Sequence, residues 1–147
     1  MIDDKGALRL ENQLCFRLYS ASKEIVRRYK PYLDPLGLTY TQYIAMMVLW
    51  AEDSLTVKEL GTRLRLESST LTPLLKKLET AGYVKRERSR QDERAVVVTL
   101  TDAGRDLHDC ALSVPACMVG ELGVDPKLGT ELAMMLDRFM EQVDSTD

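Results

Sequence analysis

The chain has 147 residues, 45% hydrophobic and 29% charged, with a formal net charge of −3, the size of one globular domain that buries roughly two-thirds of its unfolded surface. No apolar run approaches the roughly 20 residues of a membrane span, and Met1-Ile2-Asp3-Asp4-Lys5 lacks the basic segment and apolar core of a secretion signal, so a cytoplasmic protein without a membrane partner is expected. Three cysteines, an odd number, argue against a disulfide framework.

The first long helix is expected over Leu8 to Leu33, with Leu14, Leu18, Ile25, Val26 and Leu33 at helical spacing and Pro31 near its end. Cys15, Tyr19, Ser22, Tyr29 and Tyr32 continue its apolar stripe. On the residues alone, Cys15 reads as a small buried hydrophobe. Pro35 and Gly37 close this helix, and a capping box from Thr39 to Gln42 opens a second over Tyr40 to Ala51. Its Ile44, Met47, Val48 and Trp50 make it apolar on most sides, an interior support with Trp50 in the core.

Thr56-Val57-Lys58-Glu59 is a second capping box, and Val57, Leu60 and Leu64 follow on one face of a short helix. Ser68 and Ser69 then offer N-cap oxygens to another helix, whose Leu71, Leu74, Leu75 and Leu78 recur at i, i+3, i+4 and i+7 and which ends near Gly82. The opposite face carries Ser69, Thr70, Thr72, Pro73, Lys76 and Lys77, short polar and cationic groups able to reach base edges and phosphates. This is the expected recognition helix, with Pro73 placed at the end of its first turn, where the missing donor costs little. Tyr83 to Arg88 and Arg94 to Leu100 are strand-like around a polar tip, which makes a two-stranded wing carrying Lys85, Arg86, Arg88, Arg90 and Arg94. Asp92 is placed to orient the Arg94 guanidinium for a narrow minor groove. A run of basic residues is usually a solvated face, but residues 56–94 hold ten Lys and Arg against six acids in a chain that is acidic overall. That segregation points to double-stranded DNA.

Thr101 and Asp102 cap a long helix through about Val119, bent at Pro115, with Leu107, Ala111, Val114 and Met118 as its stripe. After a break at Gly123 to Pro126, Lys127 to Val143 forms a last helix whose Leu128, Leu132, Met135, Leu136, Phe139 and Val143 make an apolar face too wide to leave in water. The expected architecture is mainly α. A winged helix-turn-helix over residues 39–100 sits in a single domain with helical dimerisation regions at 8–36 and 101–147, and a homodimer reads a palindromic operator. With no glycine-rich phosphate loop and His108 as the one histidine, neither an enzyme nor a bound metal or cofactor is expected.

Leu10-Glu11-Asn12-Gln13-Leu14-Cys15-Phe16, Tyr29-Lys30-Pro31, Leu38-Thr39-Tyr40, Leu71-Thr72-Pro73-Leu74-Leu75-Lys76 and Asp92-Glu93-Arg94 closely resemble the organic-hydroperoxide-sensing regulators of the MarR family, over about Leu8 to Pro115. The resemblance implies a dimeric repressor that leaves its operator when Cys15 is oxidised by an organic hydroperoxide. It also implies that Tyr29 and Tyr40 of the other subunit hydrogen-bond the thiol. Independently, Cys15 and Tyr29 lie roughly 21 Å apart along one helix, so they meet only across a dimer. Cys15 is placed beyond the first turn, which leaves the phenols rather than the helix dipole to hold a thiolate. Members of this group trap the oxidised cysteine with a low-molecular-weight thiol or with a second cysteine near the end of the fifth helix, for which Cys117 is the candidate. Cys110 and Cys117, read as one helix, stand roughly 10.5 Å apart and cannot bridge. Two alternatives accompany this reading: a repressor released by a phenolic ligand, and a thiol peroxidase.

Overall fold

Helix α1 runs Leu14–Leu33, so it starts at Leu14 rather than Leu8. Asparagine and glutamine side chains draw the preceding backbone away from the helix. Asn12 Nδ2 donates to the Gly6 carbonyl at 2.9 Å and Gln13 Nε2 to that of Ala7 at 2.6 Å, which leaves Leu10–Asn12 as one 3₁₀ turn. In this computed structural model residues 6–147 are described; the signal-peptide reading of residues 1–5 lies outside them. Among the described residues no helix is long and apolar enough to cross a membrane. They divide into two compact units, one ending at Val114 and one spanning Pro115–Asp147.

In the first unit, α2 (Tyr40–Ala51) opens on the expected capping box, Gln42 N–H to Thr39 Oγ1 at 3.3 Å and Thr39 N–H to Gln42 Oε1 at 2.9 Å. It is the interior support, but its buried face is Tyr43, Ala45, Met46 and Leu49. Met47 is exposed and Ile44, Val48 and Trp50 are half-buried, so Trp50 lies at the edge of the core rather than in it. α3 (Val57–Leu64) has the Thr56–Glu59 box. Its reversal into α4 (Ser68–Thr80) needs Arg65 at φ 54° and no side chain at Gly61, where a Cβ would lie 2.8 Å from the Leu66 carbonyl oxygen.

Glu67, not Ser68 or Ser69, is the N-cap of α4, and no side chain caps it. The earlier start places Pro73 in the second turn. Its ring therefore removes a bond that Ser69 would have accepted, a cost offset by the burial of Leu71, Leu74, Leu75 and Leu78. At the other end Gly82 (φ 85°) closes a Schellman turn, Tyr83 N–H to Leu78 O at 3.0 Å and Gly82 N–H to Glu79 O at 2.9 Å.

The wing is β2 (Val84–Arg88) and β3 (Val96–Leu100), in antiparallel register Val84↔Leu100 and Arg88↔Val96. A third strand that the sequence reading missed, β1 (Leu55–Thr56), pairs with β3 and makes the order β1-β3-β2. Two residues are too short for a period-2 pattern to register. α5 (Asp102–Ala111) begins on the expected Thr101 cap.

The expected helix through Val119 is two helices. α5 stops at Ala111, and α6 (Val114–Leu122) begins afresh with Pro115 in its first turn, where proline fits a helix start rather than bending one. Cys110 and Cys117 are thus on different helices, which voids the distance drawn from a shared one. α7 (Pro126–Asp144) closes the second unit, and none of its residues is buried.

Candidate nucleic-acid interface and thiol site

Two groups of chemistry-bearing residues emerge in the first unit. Along α4, Ser68, Ser69, Thr70, Pro73, Lys76 and Lys77 are exposed and Thr72 is half-buried, opposite the four buried leucines. A groove of about 650 Å³ between the start of α3, α4 and the wing brings Ser68 and Thr72 together with Arg86, Asp92 and Arg94. Arg88 and Arg90 stand outside it, nearer the tip.

The basic residues are not equivalent. Arg86 shares a strand face with the buried Val84, so its guanidinium turns toward α4 and is held by Glu79: Nη2 to Oε1 at 3.1 Å, with Arg86 N–H to Oε2 at 2.9 Å. The donated Arg86 backbone N–H, then its guanidinium, hold the Glu79 carboxyl below the usual glutamate value. Arg88 Nη1 donates to the Glu93 carbonyl at 3.2 Å, inside the tip. Asp92 orients the Arg94 main chain, accepting its N–H at 3.0 Å, which corrects the guanidinium pairing expected from spacing. A carboxylate two residues upstream of an N–H reaches the backbone with fewer rotors frozen than a guanidinium contact would need. Arg94 itself is exposed.

Because a depressed folded-state pKa stabilises above the unfolded value and is lost as pH falls through the folded one, the Glu79 contact is complete above the ordinary glutamate pKa of 4.5 and fades below it. Glu79→Gln protein should therefore melt below the parent at pH 7. The gap should narrow as pH falls below 4.5 toward 3; a gap constant over that range would exclude the carboxylate.

The second group lies where α1 meets α2. Tyr29 and Tyr40 have ring centroids 4.9 Å apart, and both lean on Tyr43, at 5.8 and 6.5 Å. Tyr43 is buried and was not singled out in the sequence. Its place at i+3 from Tyr40 and its aromatic type were the available signal. Burial, then the neighbouring Tyr40 and Tyr43 oxygens, push the Tyr29 phenol above its ordinary value, so it stays a hydrogen-bond donor.

Cys15 is exposed near the other end of α1, and the structure does not bring it to these phenols within the chain. It is the second residue of α1, inside the first turn with its unpaired N–H groups. That overturns its placement beyond the first turn. Cys117 is half-exposed on α6, in the other unit, and Cys110 is exposed on α5. His108 is exposed and meets Trp50 edge-on, at 5.5 Å. No group of three or more metal-binding side chains occurs among the described residues.

Residues 27–110 match the family described as transcriptional regulator SarA/Rot. The chain is 48% identical over 113 residues to the organic hydroperoxide resistance transcriptional regulator of Bacillus subtilis, covering 77% of each chain. It is 45% identical over 143 residues to the HTH-type transcriptional regulator TtmR of Methylorubrum extorquens, covering 94% of this chain and 73% of that one. Among solved structures, reduced AbfR bound to DNA, a protein of Staphylococcus epidermidis, matches 95% of this chain and 96% of its own, with a TM-score of 0.78 and 34% identity. The same protein is known overoxidised and bound to DNA, with a TM-score of 0.77 at 34% identity over 96% of this chain and 99% of its own. Its disulfide form gives 0.61 at 35% identity over 96% and 94%.

Proposed function

Because the chain belongs to the SarA/Rot family of MarR-like, winged-helix transcriptional regulators, we propose that it is a dimeric repressor that leaves a palindromic operator when an organic hydroperoxide oxidises Cys15. The observation that carries the redox part is the separation on α1. The Tyr29–Tyr40 pair is preassembled at one end of the helix and the exposed Cys15 stands at the other. An antiparallel meeting of two α1 helices brings each thiol to the other subunit's phenols. The kinship with a hydroperoxide-resistance regulator and with AbfR supports the same reading.

In that site the Cys15 thiolate attacks the terminal oxygen of the hydroperoxide. An S–O bond forms and the O–O bond breaks, the sulfur gives up two electrons, and the departing alkoxide takes a proton to become the alcohol. The sulfenic acid then condenses with a second thiol, either a low-molecular-weight one or Cys117, to give a disulfide and water. AbfR is seen on DNA overoxidised as well as reduced, which supports assigning release to the disulfide step rather than to oxygen addition.

The DNA-binding role is assigned to Ser68, Ser69, Thr70, Thr72, Pro73, Lys76 and Lys77 of α4 and to Arg86, Arg88, Arg90, Asp92 and Arg94 of the wing, with direct contact at all but two. Arg86 and Asp92 act by holding the wing backbone. Anisotropy titrations on the palindrome beside the protein's own gene should show affinity falling steeply with salt. Arg94→Ala should weaken binding about tenfold and lower the salt slope by about one. Unchanged affinity in that variant would take the wing out of the mechanism.

A further inference from the structure

Between the second half of α1, the Asp34–Leu36 turn and the start of α2 lies a cavity of about 220 Å³, contained within the first unit. Val26, Leu33, Leu38 and Tyr40 are among its walls, and Arg27, Lys30 and Asp34 are its charged members. The charges are already matched: Lys30 Nζ sits 3.0 Å from Asp34 Oδ2, and Arg27 Nη2 sits 2.7 Å from Glu24 Oε1. The Thr39 hydroxyl oxygen is likewise engaged, accepting the Gln42 N–H. What the cavity offers a ligand is therefore apolar wall, and a neutral organic group gains most by displacing water from it.

Its volume is below the roughly 300–1,000 Å³ of pockets that hold drug-sized molecules, which suits one aryl ring or a short branched alkyl group. Tyr40 joins this cavity to the redox site, since it lines the one and packs at a tilt against Tyr29 in the other.

We propose that this cavity binds the organic group of the hydroperoxide, holding an aryl or short branched alkyl substituent while the peroxide oxygens lie at Tyr40. The inference rests on the assignment of Cys15 and Tyr40 made above and adds the origin of selectivity. Hydrogen peroxide has no group to fill the cavity, so it gains nothing from it, whereas cumene hydroperoxide does. The chemistry is the transfer already described: the sulfur gains the terminal oxygen, and cumyl alcohol leaves from the cavity.

The test is the ratio of two rate constants for Cys15 oxidation, cumene hydroperoxide over hydrogen peroxide, read on the full-length protein by acid quench and mass spectrometry. Val26 is 40% exposed, so Val26→Phe fills the cavity without emptying the core, and Val26→Ser makes the wall polar without adding bulk. The ratio should fall at least about tenfold in Val26→Phe and about threefold in Val26→Ser. Both rates come from one sample, so a change in folding, assembly or the reactivity of Cys15 itself cancels in the ratio. A ratio within about twofold of the parent's in both variants overturns the cavity assignment and leaves the redox reading standing. If neither peroxide oxidises Cys15 in the parent chain, both readings fail.

Discussion

Cys15→Ser protein is expected to bind its operator as the parent does and to stay bound at hydroperoxide concentrations that fully release the parent. The exchange replaces one exposed sulfur by oxygen, so it empties no core, and the hydroxyl has no accessible oxidation by peroxide. The effect on release is all-or-none rather than graded, because the first covalent step is lost. Anisotropy on labelled operator during hydroperoxide titration measures it, and release of the serine protein at parental concentrations would move the sensor elsewhere. Cys117→Ser separates the two trapping routes. If Cys117 is the second thiol, this protein is still oxidised at Cys15 but stays on DNA until a small thiol is added. If it leaves as readily as the parent with no thiol present, Cys117 is structural.

The largest stability effect is expected at a glycine with no part in either site. Gly104 sits in the first turn of α5, where a Cβ would stand 2.1 Å from the Tyr83 carbonyl oxygen and 3.0 Å from its carbon. The two elements are clamped there: Thr101 N–H donates to Tyr83 O at 3.1 Å, Gly104 N–H to Thr101 Oγ1 at 3.0 Å, and Trp50 Nε1 to Gly104 O at 2.9 Å. Backbone cannot swing aside as a side-chain tip can, so Gly104→Ala must separate α5 from the α4–β2 turn. Overpacking typically costs about 1–3 kcal/mol, and a clash against backbone stands at the upper end, a large share of the roughly 5–15 kcal/mol that holds a domain. Thermal unfolding followed by circular dichroism should show a midpoint about 10 °C lower, with the Trp50 fluorescence shifted before unfolding. A fall of no more than about 2 °C would mean that α5 relaxes freely.

Of this clamp only the Thr101 cap was legible in the chain; the approach of Gly104 to the Tyr83 carbonyl and the Trp50 bond join segments far apart in sequence. What could be read were features with a local cause: the Thr39 and Thr56 capping boxes, the leucine spacing of α4, and the polar tip between valine-rich and basic strands. Features settled by competition between neighbours were missed. Asn12 and Gln13 spend their amides on upstream carbonyls, which moves the start of α1 and with it the position of Cys15 in the helix. Pro115 was expected to bend a helix because the stripe runs through it, yet apolar spacing does not reveal a two-residue interruption at Leu112 and Ser113. At the site, the types of residue were legible and their partners were not. The Glu79–Arg86 link joins residues on different elements, and the cavity beside Tyr40 is made by three segments.

That link bears on which DNA sites the protein accepts. Glu79 near the end of α4 grips Arg86 of the wing, and the Schellman turn between them leaves no slack. The link couples helix to wing, so a displaced half-site asks the two to move together. On the dimer and palindrome proposed above, one base pair inserted at the centre of the site carries the far half-site about 3.4 Å along the DNA axis and about 34° around it. A pair of helix–wing units coupled in this way meets that change by moving whole subunits. Spacer length is then read as strictly as base identity, so a search of a genome for binding sites should fix the distance between half-sites before it scores their letters.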